Sequence, residues 1–198
     1  MILAFDTSAA HCAAALIKGN EVLQARQEPM AKGQAERLLV LCEELLAASG
    51  ARWSDLAALG VGIGPGNFTG IRIAVSAARG LALGLNIPAV GVSNFDALRL
   101  GITGPCVCAV DARRGQVYLQ GYENPDLCDP VQWDALALPP FIGPLIGAGG
   151  QAARHPVAVA IAKIAQARYA TETSRPAPLY LRPADAAPAR DSAPVILP

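Results

Sequence analysis

The sequence predicts an α/β protein made of two related lobes, each built around a mixed β-sheet. Three observations predict this class. Short apolar runs alternate with helical patterns, the order strand, helix, strand requires a right-handed parallel crossover, and each half opens with a strand that ends in an aspartate-containing turn. The 198 residues are 53% hydrophobic and 16% charged, so the chain has the apolar residues that a packed core needs and is not intrinsically disordered.

The first four predicted elements are three strands and a helix. We expect residues 2–5, 13–17 and 21–23 to form an antiparallel meander with a hairpin turn near Gly19. Residues 34–49 predict a helix, because polar and apolar side chains separate onto opposite faces and the apolar arc is about 160° wide. One face of this helix therefore packs against a core.

A glycine-rich stretch at 64–70 separates the next elements. Residues 59–63 are apolar on both faces and predict a buried strand, and residues 71–85 predict a second helix. A strand at 89–92 follows, with a short helix at 93–100. This order predicts a parallel crossover that joins a mixed sheet.

The second half begins after residues 101–105, where two glycines and a proline mark the predicted boundary between lobes 1–101 and 102–198. The elements expected beyond it are strands at 106–110, 116–122, 141–146 and 179–181 and a helix at 157–169. Asp111 follows a strand in the second half as Asp6 does in the first. The second lobe is therefore expected to be a shortened copy of the first.

The charge balance and the cysteines exclude two classes of function. Sixteen basic residues offset sixteen acidic ones, so no positive field is present to collect a nucleic-acid backbone, and the chain alone is not expected to bind nucleic acid strongly. The five cysteines are odd in number and scattered, without the paired spacing of a metal site. We expect them to be reduced, buried thiols.

No stretch of the chain predicts a membrane anchor. An apolar run that crosses a bilayer needs about 18 residues, and the longest candidate, 71–92, is interrupted by Arg72, Arg79 and Pro88. The first residues lack a basic region and include Asp6, unlike a signal peptide. The sequence therefore predicts a cytoplasmic protein without a membrane partner.

Residue types for common hydrolytic mechanisms are not arranged as those mechanisms require. His11 and His155 are far apart and each lacks a close acidic partner in the sequence, which argues against a zinc hydrolase. The serines lack the glycine elbow of a nucleophilic serine. No catalytic residue and no metal-ligating set is therefore predicted.

Two turns carry residue types that bind phosphate. Residues 6–8 end a strand with a carboxylate and two hydroxyls, and residues 64–70 lead into a helix N-terminus, where backbone N–H groups favour anions. Each turn also has a purely structural interpretation, an Asx turn for the first and tight strand–helix packing for the second. The candidate phosphate-loop residues are Asp6, Thr7, Ser8, Gly64, Gly66, Asn67, Thr69 and Gly70.

The two long helices carry more apolar or small-residue surface than one sheet contact needs. The leucine arc of the first is wide, and the second has small residues at three- and four-residue spacing, which permit close approach of another helix. Packing on the sheet accounts for one side of each helix, and a partner interface is expected on the remainder. The candidate interface residues are Leu38, Leu41, Leu45, Arg72, Ala74, Ala78 and Arg79.

Four ordered motifs resemble one known family. The stretch from Gly64 to Ile73, GPGNFTGIRI, resembles the GPG-S-FTG-[IL]-R-[IV] signature of the TsaB (YeaZ) family. The opening ILAFDTS, the segment DARRGQVY from Asp111 and the segment PLYLRPADA from Pro178 agree with that family in order and position. The resemblance covers nearly the whole chain.

The resemblance implies the actin-like/Hsp70-like ATPase (ASKHA) fold with a reduced second lobe. It also implies a non-catalytic subunit of the bacterial machinery that makes N6-threonylcarbamoyladenosine in tRNA. In that family the subunit pairs with the transferase TsaD and supports docking of TsaE. For the isolated chain, monomer and homodimer both stay open. No cofactor of its own is implied, and the nucleotide expected is ATP or ADP at the junction with TsaD.

The sequence departs from the family pattern at two places, and two alternative functions stay open. Asn67 stands where serine is commoner in the signature, and residues 33–37 lack the His-x-x-x-His metal pair of TsaD-type proteins, which favours TsaB. The alternatives are an enzyme of the same superfold, either a weak ATPase or a glycoprotease-like peptidase, and a small-molecule kinase with Asp111 as its catalytic aspartate.

Overall fold

The computed structural model describes residues 1–172 and 174–181, which form two β-sheets and the helices that cover them. The first sheet contains five strands in the order β3-β2-β1-β4-β5. β2 pairs antiparallel with β1 and with β3, whereas β4 runs parallel to β1 and β5 parallel to β4. Its strands are β1 (Ile2–Asp6), β2 (His11–Lys18), β3 (Glu21–Pro29), β4 (Ala58–Gly62) and β5 (Ala89–Val92).

The second sheet repeats the start of the first. Its order is β8-β7-β6-β9, with an antiparallel hairpin of β6 and β7 and a parallel strand, β9, beside β6. Its strands are β6 (Cys106–Arg113), β7 (Gln116–Tyr122), β8 (Val131–Asp134) and β9 (Leu145–Gly147). The predicted fold class, two related lobes with mixed sheets and a reduced second lobe, is therefore confirmed.

Within the described residues four α-helices cover the sheets, and β1 is the central strand of the first sheet. The helices are α1 (Gln34–Ala48), α2 (Phe68–Leu85), α3 (Asn94–Arg99) and α4 (Val157–Arg168). Side chains alternate along a strand, so Leu3 and Phe5 of β1 pack with α1 and α2 on one face of the sheet. Ile2 and Ala4 pack with α4 on the opposite face. Both faces of the first sheet are thus buried.

The helix α4 connects the two halves of the chain. It follows the second sheet in the sequence, yet its buried residues, including Ile161 and Ala165, pack against β1, β2 and β4 of the first. The bounds 1–101 and 102–198 for the two lobes stay a prediction. Residues from the second range nevertheless complete the core of the first sheet.

The sequence pattern misjudged elements at the sheet edges. β3 extends to Pro29 rather than residue 23, and β8 was not predicted. Both are edge strands, whose largely exposed residues lack the apolar alternation of a buried strand. The strand expected at 141–146 is shorter, Leu145–Gly147, because prolines at 139, 140 and 144 cannot donate backbone hydrogen bonds to a ladder.

Two further differences involve the candidate motifs. α2 starts at Phe68, three residues earlier than expected, because the Asn67 side chain accepts a hydrogen bond from the Gly70 N–H at 2.9 Å and caps the helix. Residues 179–181 form no strand, although the Leu179 N–H donates to the Ile63 carbonyl at 2.8 Å. The part of the PLYLRPADA motif after Leu181 lies outside the described residues.

Cysteine burial and the hydropathy of α2 each differ in part from expectation. Four cysteines are buried, whereas Cys128 is exposed. With 18 residues and a mean hydropathy of 1.3, α2 is the one helix in the described ranges with the length and composition of a membrane span. It contains Arg72 and Arg79, and its buried side packs on the first sheet, as in the core helix of a globular lobe.

An ion-pair network joins α1 to the edge strand β3. The guanidinium of Arg37 lies 2.6 Å from a Glu28 carboxylate oxygen and 2.7 Å from one of Glu44, and Arg26 also pairs with Glu44. Hydrogen bonds from Arg37 lower the pKa of Glu28 and lower that of Glu44 to about 2. A carboxylate with a lowered pKa stabilises the folded state above its ordinary pKa, and this contribution is lost as the pH falls through the folded value.

We therefore predict that lowering the pH reduces the unfolding free energy of the wild-type chain more than that of an Arg37→Gln variant. The gap between their melting temperatures narrows from about pH 5 to about pH 2, because the two glutamates take up protons in the unfolded chain near their ordinary pKa but in the folded wild-type chain only near the lowered pKa. Thermal melts across this range test it, with Arg79→Gln on the exposed side of α2 as the control. A difference in melting temperature between the wild type and Arg37→Gln that stays the same at every pH would contradict the prediction.

Candidate functional site

The candidate site lies at the carboxyl ends of β1 and β4, where the two predicted turns contact each other. The hydroxyl of Thr7 donates to the Gly70 carbonyl at 2.6 Å, and the Asn67 N–H donates to the Ser8 carbonyl at 2.6 Å. β1 and β4 are parallel neighbours, so their carboxyl ends meet at the same edge of the sheet. The turn at 6–8 and the loop at 64–70 therefore form one structural unit.

Glycine is required at two points because the backbones and side chains of this unit approach so closely. A Cβ atom on Gly70 would lie 1.9 Å from the Thr7 carbonyl oxygen, and one on Gly62 would lie 2.0 Å from Asp6 Oδ1. Real Cβ contacts of this length do not occur, so any larger residue displaces the turn. The glycine-rich pattern thus serves tight packing at these positions.

The Asp6 carboxylate is used within the chain. Its Oδ2 accepts hydrogen bonds from the Ser8 N–H at 3.1 Å and the Ser8 hydroxyl at 2.9 Å, and it lies 2.7 Å from His11 Nε2. Asp6 is fully buried, and its Oδ1 has no hydrogen-bond partner among residues 1–172 and 174–181. A carboxylate held in this way fixes the turn rather than presenting itself to solvent.

Sequence reasoning missed two residues of this network. The sequence shows no close acidic partner for His11, yet β2 brings it back to Asp6 across the tight turn. Asn94, the first residue of α3, is buried, and its side-chain amide donates to the Ser8 hydroxyl at 2.7 Å and to the Pro65 carbonyl at 2.8 Å. Only the fold brings Asn94 to these partners, which lie 86 and 29 residues away.

A cleft of about 550 Å³ opens between the joined turns and the β6–β7 hairpin of the second sheet. Asp111 is exposed at its wall, and the Asp111 carboxylate accepts a hydrogen bond from the Arg113 N–H at 2.8 Å. A second cavity of about 200 Å³ lies near Asp6, His11 and Asn94. The two aspartates occupy matching places in the two sheets, but only Asp111 reaches the larger cleft.

Comparisons with known proteins agree with the geometry. The family model described as TsaD: tRNA N6-adenosine threonylcarbamoyltransferase matches residues 27–131, just over half of the chain. A relative from Escherichia coli K12, the tRNA threonylcarbamoyladenosine biosynthesis protein TsaB, is 37% identical over 62% of this chain. An uncharacterized protein of Mycobacterium tuberculosis H37Rv is 33% identical over 91% of this chain and 82% of its own length.

The solved structure of YeaZ from Pseudomonas aeruginosa superposes with a TM-score of 0.71 and 26% identity over 91% of this chain and 99% of that one. The chain belongs to the TsaB (YeaZ) family. Its alignments span about half the length of the curated relatives named TsaB, 55% of the Escherichia coli protein and 51% of that from Haemophilus influenzae. The TsaB assignment also agrees with residues 33–37, which lack a histidine pair where α1 begins.

Only half of the candidate phosphate-loop residues of this TsaB-family chain line the cleft. Ser8, Gly66, Asn67 and Thr69 line it, whereas Gly64 and Gly70 do not. Asp6 and Thr7 are fully buried and do not line this cleft, and their assignment to a phosphate loop stays a prediction. The Thr7 hydroxyl joins the two turns, and Asp6 Oδ2 is bonded to Ser8 and His11, so these atoms are already engaged in this conformation.

Five of the seven candidate interface residues are also corrected. Leu38, Leu41, Leu45, Ala74 and Ala78 are at most 2% exposed and form the core between α1, α2 and the first sheet. The leucine arc of α1 is wide because it contacts both the sheet and α2. Arg72 and Arg79 are exposed. Three apolar side chains outside the candidate interface set are exposed as well, namely Leu39, Val40 and Leu83.

The close approach at Gly70 is tested by a matched pair of substitutions in α2, one at Gly70 and one at Gly80. Gly70→Ala is expected to destabilise the fold by about 1–3 kcal/mol, because the new Cβ overpacks against Thr7. Gly80→Ala is expected to stabilise it by about 0.5–1 kcal/mol, because Gly80 has open space around it and alanine favours the helix. Urea unfolding of the two variants measures both effects, and equal changes in unfolding free energy would contradict the assignment.

Proposed function

We propose that this chain is a non-catalytic, structural and activating subunit of the cytoplasmic machinery that makes N6-threonylcarbamoyladenosine in tRNA. Its relatives named TsaB support the pathway. The observation that carries the non-catalytic role is the engagement of Asp6, whose carboxylate is buried and bonded to Ser8 and His11. An aspartate that bears chemistry must instead reach its substrate.

The partners proposed are TsaD, as a heterodimer, and TsaE, which docks on the complex. A homodimer forms when the chain is isolated. The subunit holds no cofactor of its own, and ATP or ADP binds at the junction with TsaD. This placement agrees with the buried state of Asp6 and Thr7, which leaves a phosphate group in the cleft without their side chains.

The metallopeptidase alternative requires groups that the described residues do not bring together. A metallopeptidase needs a ligand cluster, and in the described ranges no three histidine, cysteine, aspartate or glutamate side chains form one. His11 is bonded to Asp6, and His155 precedes α4 on another part of the fold. A kinase needs a cleft-facing aspartate, a place that Asp111 occupies while bonded to its own turn.

The outer faces of α1 and α2 are the proposed TsaD interface. Leu83 is 83% exposed on α2, and the neighbouring Gly80 and Gly84 have open space where a side chain would lie. A partner helix approaches such a surface closely, since no side chain projects from the two glycines. Leu39 and Val40, 43% and 47% exposed, extend the apolar surface on α1.

The interface is tested by co-purifying this chain with TsaD from the same organism. Leu83→Glu is expected to weaken TsaD binding at least about tenfold without lowering the melting temperature, because it places a charge in a desolvated contact. Leu136→Glu is the matched control, since Leu136 is 96% exposed but lies on the second half of the chain. Nucleotide is measured in the isolated chain and in the complex.

Loss of binding with Leu136→Glu but not with Leu83→Glu would place the interface elsewhere. Nucleotide retained by the isolated chain at full occupancy would contradict a nucleotide site that depends on TsaD. Failure of the wild-type chain to bind TsaD under any condition would contradict the proposed function itself.

The role of Asp6 is tested by separating stability from tRNA modification. Asp6→Ala is expected to lower the unfolding free energy by about 1–3 kcal/mol, because the buried donors of Ser8 lose their acceptor. Below its melting temperature the variant is expected to support modification in a strain depleted of the native subunit. Asp111→Ala is the matched control, because that exposed aspartate holds a similar turn.

A folded Asp6→Ala protein that binds TsaD but abolishes modification would give Asp6 a chemical role. The same result with Asp111→Ala would give Asp111 a chemical role in tRNA modification. Modification is measured as the threonylcarbamoyladenosine content of total tRNA, in cells grown below the melting temperature of the variant and with its abundance matched to the wild type.

A further inference from the structure

The described part of the chain ends in an extended segment, residues 176–181, here called the strap, which lies between the two sheets. The Leu179 N–H donates to the Ile63 carbonyl at the end of β4. Leu179 and Leu181 pack with the core of the second sheet, beside residues that include Phe95 and Tyr118. The strap therefore contacts both halves of the molecule and forms part of the wall of the 550 Å³ cleft.

Tyr180 is the residue of the strap whose side chain forms a hydrogen bond with α2. Its hydroxyl accepts a hydrogen bond from Arg72 Nε at 2.8 Å, and its ring lies 4.8 Å from the ring of Phe68. The Arg72 guanidinium carbon lies 3.7 Å above the Phe68 ring. Arg72, Phe68 and Tyr180 together are here called the latch.

The latch joins two surfaces that have different uses. Phe68 and Tyr180 line the cleft, whereas Arg72 is exposed at the start of α2, on the helix proposed to meet a partner. Tyr180 is 40% exposed, so its ring is held by the latch rather than by burial in the core. We propose that the latch holds the strap on α2, and that its release opens the cleft and frees the Arg72 guanidinium together.

The chemistry of Arg72 identifies what releases the latch. The Tyr180 hydroxyl is a neutral acceptor, and a carboxylate is a stronger acceptor for a guanidinium, which it engages with two parallel hydrogen bonds. An acidic side chain of a partner on α2 therefore takes Arg72 from Tyr180. The strap then keeps the buried Pro176, its leucine contacts and the Leu179 bond to Ile63, but no side-chain hydrogen bond to α2.

The latch is tested first on the full chain alone, by amide hydrogen exchange at Leu179. Tyr180→Ala is expected to speed this exchange about tenfold, and Tyr180→Phe by a smaller factor, because the first removes ring and hydroxyl and the second the hydroxyl alone. Tyr169→Phe, on a tyrosine that ends α4 and lies outside the latch, is the matched control and leaves the exchange unchanged.

A double-mutant cycle separates the latch from general loosening. Arg72→Ala speeds Leu179 exchange as well, and adding Tyr180→Phe to it has no further effect, because both changes remove the same hydrogen bond. Additive effects, or wild-type exchange in both Tyr180→Ala and Arg72→Ala, would overturn the proposal. Tyr180→Phe keeps the test usable if the alanine variants fail to fold.

The release step rests on the proposed function and is tested with TsaD added to the chain. Leu179 exchange is expected to rise in the complex, and unchanged or slower exchange there would overturn the link between partner binding and the strap. If TsaD does not bind, the proposed function fails, and the exchange of the isolated variants decides the latch by itself.

Discussion

The contact between the turn at 6–8 and the loop at 64–70 is the constraint on which the rest of the structure depends. The Thr7 hydroxyl and the Ser8 carbonyl bond directly to backbone groups of that loop, and Gly70 has no Cβ where one would collide with Thr7. This contact fixes the N-terminus of α2 against the end of β1. It thereby sets which side of α2 is buried and which side is open to a partner.

The same contact limits what the site does chemically. In a turn at the end of a strand, a carboxylate, two hydroxyls and nearby N–H groups are a set that suits phosphate or a hydrated cation. Here Asp6 bonds to Ser8 and His11, Thr7 bonds to Gly70, and Asn67 caps its own helix. An atom whose hydrogen bonds are made inside the protein, such as Asp6 Oδ2 or the Thr7 hydroxyl, gains little from a ligand, because each new bond replaces an existing one. Structural locking and ligand binding therefore compete for the same atoms.

Local periodicity predicted most of the fold, since it reports which residues of a segment face a core. It failed at β3 and β8, whose exposed edges give no such signal, and it did not show toward which neighbour the leucines of α1 point. Burial of Leu38 and Ala78 depends on how α1 and α2 pack together, which no single helix encodes. Asn94 and His11 joined the site only through the fold, whereas the Asp6 turn and the glycine loop were visible as motifs.

The two halves begin alike and diverge because of where their helices pack. After β4 the chain enters the glycine loop, and α2 closes over Thr7, whose hydroxyl bonds to Gly70. The Asp6 carboxylate points to the opposite face of the sheet, beside Gly62 and His11, and is buried there. After β9 the chain passes through residues 148–156 into α4, which packs on the first sheet instead of the second. The turn at Asp111 is consequently left without a covering helix and faces the cleft. The helix α4, from the second half of the chain, therefore completes the core of the first sheet. The second sheet, which α4 does not cover, forms the open wall of the cleft.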